Sequence, residues 1–105
     1  MTGRSARRAP CEHVKAEGRW PEGPMDSEDA EVAAAFVRNL RAVIEGRSLR
    51  EVAGLAGLTH TTVMRILAGQ VWPDLSSIAR LERAFRAPLW PQVGDSSSPR
   101  RGRRS

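Results

Sequence analysis

The sequence predicts a small all-α domain of four to five helices flanked by basic tails. Apolar residues between Ala30 and Phe85 recur at i, i+3, i+4 and i+7, and no stretch alternates as a half-buried strand does. Each periodic stretch is preceded by serine, threonine or aspartate, which cap helix starts. Each is followed by glycine or proline, which end helices. The 105 residues are enough for one domain with a modest core.

The first helix is expected over about 28–45, with Ala33, Phe36, Val37, Leu40, Val43 and Ile44 on its inner face. Ser27 supplies the cap, and Glu28, Asp29 and Glu31 lie where the positive end of a helix favours acids. Gly46 marks its stop. A second helix starts after Ser48 and buries Leu49, Val52, Ala53 and Ala56. A third starts after Thr59, buries Val63, Ile66 and Leu67, and ends at Gly69. The fourth is capped by Asp74 after Pro73, presents Leu75, Ile78, Leu81, Ala84 and Phe85 inward, and is ended by Pro88. Trp72 is expected to pack over the apolar side of that fourth helix, and Trp90 to cap the bottom of the core.

The domain boundaries follow from composition. Residues 1–26 are expected to be a disordered basic tail. In it, EGRWPEGP packs two glycines and two prolines around Trp20 and reads as a linker. The domain spans 27–93, and 94–105, containing SSSPRRGRRS, is expected to be a second disordered basic tail. The formal net charge is +5, and four arginines of it lie in the last six residues. Basic tails around a mildly basic helical half suit a polyanionic partner, although the same tails also serve as plain solubilising segments.

Several function classes find no support. No stretch approaches the roughly 20 apolar residues a membrane helix requires, so no membrane partner is expected. The Arg-rich start has no apolar run behind it and is no secretory signal. One cysteine, Cys11, excludes an internal disulfide and points to a reducing, cytoplasmic setting. Cys11, Glu12 and His13 offer too few ligands on a tail for a metal site. No phosphate-cradling glycine loop and no activated nucleophile is evident, so the chain is not expected to be an enzyme or to need a cofactor.

The informative stretch is LREVAGLAGLTHTTVMRILA, residues 49–68. Two apolar-patterned segments are separated only by Gly57, Leu58 and Thr59. Glycine at 57 suits a left-handed residue closing one helix, and Thr59 then caps the next. Ala53, four residues before the glycine, keeps the crossing close, and Val52, Ala56, Leu58, Val63 and Ile66 form the shared apolar contact. This is the helix-turn-helix pattern.

The stretch SLREVAGLAGLTHTTVMRILAGQVWPDLSSIARLERAF resembles the Cro/lambda-repressor-type helix-turn-helix, or xenobiotic-response-element, family. The likeness covers about residues 30–90, including the Gly69, Pro73, Leu75 continuation into the fourth helix. It implies a lambda-repressor-like DNA-binding domain of a bacterial or phage regulator whose third helix, 59–68, enters the major groove. Carried over by position, His60, Thr61, Thr62 and Arg65 would face the bases. Arginine can donate two hydrogen bonds to guanine, and threonine can bond a base or touch the thymine methyl. Ser48, Arg50, Thr59 and Gln70, with Arg47, would contact the phosphate backbone, aided by the first amides of the second and third helices. Leu49 stands where many members carry glutamine, and Leu67-Ala68 where many carry an acid–base pair. The phosphate contact of that glutamine therefore falls to Ser48 or Arg50.

The expected function is sequence-specific, repressor-like transcription regulation, with double-stranded DNA as the partner. A homodimer is expected because paired half-sites about 34 Å apart multiply the specificity of a single helix. The alternative is a protein-interaction module, an antitoxin or adaptor whose helical surface binds a protein partner while DNA contact is secondary or lost.

Overall fold

The computed structural model describes residues 8–91, and its four helices begin where the capping residues place them. They are α1 (Glu28–Val43), α2 (Leu49–Ala56), α3 (His60–Leu67) and α4 (Leu75–Phe85). Ser27 Oγ accepts the Ala30 amide at 3.1 Å and Ser48 Oγ the Glu51 amide at 3.1 Å. Thr59 Oγ1 accepts the Thr62 amide at 3.0 Å, and Asp74 Oδ1 the Ser77 amide at 2.7 Å. Each bond satisfies an amide that the first helical turn leaves without a partner, a contribution of about 1 kcal/mol per cap.

The helix-turn-helix closes through backbone geometry. Gly57 is left-handed at φ 70°, and the Leu58 amide reaches back to the Ala53 carbonyl at 2.9 Å. The same closure ends α3, where Gly69 stands at φ 73° and the Gln70 amide bonds the Arg65 carbonyl at 3.0 Å. α4 ends this way too, two residues before Pro88, with Arg86 in the left-handed position at φ 52°.

One core joins all four helices. Phe36, Val37 and Leu40 from α1 meet Val52, Ala53 and Ala56 from α2, Val63 and Ile66 from α3, and Ile78 and Leu81 from α4. Leu89, beyond α4, is buried with them. Each large side chain buried here contributes about 1.5–3 kcal/mol. The chain after α4 is pinned by polar side chains. Glu82 Oε2 accepts the Leu89 and Trp90 amides at 2.8 and 2.9 Å, and Asn39 Nδ2 donates to the Leu89 carbonyl at 2.8 Å. Trp90 packs against Phe36 with ring centroids 5.7 Å apart, at the edge of the core.

The expectation of a purely all-α fold is corrected at the N-terminus, and with it the expected disordered tail and linker over residues 8–26. A short 3-10 helix (Pro10–His13) leads into β1 (Val14–Arg19), which pairs antiparallel with β2 (Gly23–Met25). Val14 lies opposite Met25 and Arg19 opposite Gly23, with an irregularity between the two pairs. A two-stranded hairpin is marginal in isolation, so its stability comes from what it touches. Pro10, Pro21 and Met25 are buried, and Trp20 packs on the helical core. The Cys11 amide donates to the Gly69 carbonyl at 2.9 Å and Arg38 Nη1 to the Pro21 carbonyl at 2.8 Å. Glu31 Oε2 accepts the Met25 amide at 2.9 Å. The apolar residues sit at the hairpin's ends and turn while the strand residues are mostly exposed, so the sequence carries no alternating signal. Residues 1–7 and the expected tail over 94–105 lie outside the described residues.

A second correction concerns α4. Leu75, expected on its inner face, is 86% exposed, because the inward stripe starts only at Ser77 and Ile78.

Candidate nucleic-acid interface

α3 is rooted by Val63 and Ile66, which are buried, and this fixes the face it turns outward. Residues one turn apart on a helix share a face, and here Thr61, Met64 and Arg65 are the exposed set. The Arg65 side chain has no hydrogen bond or ion pair among the described residues, leaving its five N–H donors open to an external acceptor. His60 and Thr62 are half-buried. Thr59 donates its hydroxyl to Thr62 Oγ1 at 2.8 Å while accepting the Thr62 amide, so the Thr62 hydroxyl is turned back to the cap. Thr62 and Arg65 also border a cleft of about 220 Å³ closed on its other side by Trp72, Pro73, Asp74 and Ser77. Asp74 is held below the usual carboxylate range by the hydrogen bond from the Ser77 amide.

The four residues assigned to the bases therefore divide. Thr61 and Arg65 present free polar groups, His60 is partly screened, and Thr62 is occupied by the cap. Met64, 42% exposed, joins this face although the sequence reading did not single it out. Its helical phase, three residues after Thr61, is the signal that places it there.

Of the backbone set, Ser48 and Thr59 spend their side-chain oxygens on caps, and the first amides of α2 and α3 remain without intrahelical partners. Arg50 and Gln70 are exposed. Arg47 pairs with Glu51 at 3.3 Å and stacks its guanidinium 5.5 Å from the Phe85 ring centroid, so it is partly committed within the domain. Arg80 Nη1 donates to the Gly57 carbonyl at 3.3 Å and ties α4 to the turn.

The far end of α3 is closed by the hairpin. Trp20 Nε1 donates to the Leu67 carbonyl at 2.9 Å and Arg41 Nη2 reaches the same oxygen at 3.5 Å, both suiting the negative end of a helix. The expected position of Trp72, over α4, is also corrected. It packs with Met25, Ala30 and Ala34, donates Nε1 to the Arg8 carbonyl at 2.8 Å, and meets the His13 ring edge-on at 5.9 Å. Beside it, His13 Nδ1 lies 2.6 Å from Asp26 Oδ1 and Arg8 Nη2 lies 3.2 Å from Asp26 Oδ2. The His13 hydrogen bond, with the Arg8 bond, holds Asp26 below its usual range. Among the described residues no group of three or more potential ligands assembles a metal site. No helix among them is long and apolar enough to cross a membrane.

No family model, curated protein or solved structure matches this chain.

Proposed function

We propose that the protein is a sequence-specific, repressor-like transcriptional regulator that inserts α3 into the DNA major groove. The observation that carries this reading is the outward face of α3, where Thr61 and the unpartnered Arg65 stand on a helix whose other face is locked into the core. Arg65 would donate its fork to a guanine edge, Thr61 would bond a base or meet a thymine methyl, and His60 would add a donor or acceptor. The free amides at the starts of α2 and α3, with Arg50 and Gln70, would hold phosphates and set the register. Such a regulator acts in the cytoplasm on the nucleoid, as a dimer on paired half-sites.

The test is selection of binding sites from a random duplex pool, followed by affinity measurements at several salt concentrations. A recovered palindrome with half-sites one helical turn apart is expected. Arg65→Ala should then relax preference at one base pair at a cost of about 1–3 kcal/mol. Uniform weakening on every sequence would make Arg65 a phosphate contact. The exposed Met64 beside Arg65 favours a second reading, a module that binds a protein partner such as a toxin. Salt separates the two, since phosphate binding weakens steeply with ionic strength and apolar pairing does not.

A further inference from the structure

We propose that the arginine-rich segment 92–105 of this chain docks intramolecularly in a groove along the outer face of α1. The groove has a volume of about 550 Å³, with Val32, Ala35 and Pro91 as its apolar part and Glu28, Asp29 and Glu31 around it. The acids at the head of α1 suit its positive end on their own. An apolar floor beneath them, walled by the residue at which the described chain ends, does not follow from that.

Charge favours this occupant. Arg38 also borders the groove, but its guanidinium is committed to the Pro21 carbonyl. Glu28 and Asp29 have no side-chain partner among the described residues. Beyond Asp95 the chain carries Arg100, Arg101, Arg103 and Arg104 and no acid. Guanidinium forks match carboxylates in geometry as well as sign.

Reach favours it too. The exit point is fixed, because Glu82 and Asn39 hold Leu89 and Trp90 two residues and one residue before Pro91. Val93, two residues on, can meet the floor of Val32 and Ala35. Arg100 is nine residues on and can reach up to about 30 Å, while Glu28 to Arg38 along α1 spans about 15 Å. A tether this short presents its arginines at an effective concentration on the order of millimolar. The consequence, which rests on the DNA reading above, is that α1 withholds the tail's positive charge from phosphates until a polyanion competes for it.

The test uses the full chain without DNA, so its failure leaves the base-reading proposal untouched. Cys11→Ala removes the native thiol, Ser98→Cys accepts a nitroxide, and amide signals are compared before and after the label is reduced. Selective quenching of residues 28–35 is expected, with Arg50 and Arg83 spared. Pairing Glu28→Gln with Asp29→Asn should relieve it, as should Gln at all four tail arginines, while the remaining amide spectrum shows the fold intact. Quenching no stronger at 28–35 than at Arg50 would overturn the proposal. So would quenching centred on α3, or quenching that survives both neutralised variants.

Discussion

Replacing Gly69 with alanine tests whether the N-terminal hairpin is an integral part of the fold. Gly69 is buried at φ 73°, and a Cβ there would lie 2.6 Å from Trp20 Cε2 and 2.9 Å from Cys11 Cβ. Left-handed backbone costs a non-glycine residue about 1–2 kcal/mol. Overpacking adds about 1–3 kcal/mol, and the lower unfolded-state entropy of alanine returns about 0.4–1 kcal/mol. The net expectation is a loss of about 2–4 kcal/mol, a large share of the roughly 5–15 kcal/mol that stabilises a small domain. Gly46→Ala is the internal control. It stands at φ 87° with nothing within 4 Å of the added Cβ, so it bears the backbone cost alone, about 0.5–1 kcal/mol after the entropy gain. Urea denaturation of the two variants gives the difference, and amide exchange at Cys11, bonded to the Gly69 carbonyl, reports whether the hairpin lifts. A Gly69→Ala variant no less stable than Gly46→Ala, with Cys11 still protected, would show that the hairpin does not press on α3 as described.

Other substitutions probe single contacts. Trp20→Phe removes the donor to the Leu67 carbonyl together with part of the indole's packed surface, so a loss of more than the roughly 0.5–1.5 kcal/mol of the hydrogen bond alone is expected, with faster amide exchange centred on the last turn of α3. Arg86→Gly relieves the one left-handed non-glycine residue among the described residues, and a thermal melt should show stabilisation of up to about 1 kcal/mol. Asp74 has its folded pKa lowered from the usual 3.8, so its contribution is present above that value and is lost as pH falls through the lowered one. Asp74→Asn keeps a good cap without the charge. It should match the wild type near neutral pH and lose less stability on acidification, and an equal acid slope in denaturation would refute this account of the cap.

By itself, the sequence determined the helices and the phase of α3. Caps and apolar stripes act between residues two to four apart, so Ser27, Ser48, Thr59 and Asp74 could be read as starts, and Val63 and Ile66 as the buried side of α3. The phase that buries those two residues turns Thr61 and Arg65 outward, which is why the candidate interface was legible in outline. Which of its hydroxyls are free was decided by the Thr59–Thr62 bond, a side-chain choice that spacing does not dictate. Only the tertiary structure decided the N-terminal third. Trp20 finds Leu67 across 47 positions and Trp72 finds Arg8 across 64, so segments that look like a linker and a tail become a clasp over the end of α3. Leu75 marks the reverse case, an apolar residue with helical spacing but no neighbouring element to cover it. Local periodicity specifies an inner face, whereas burial depends on what the rest of the chain brings against it.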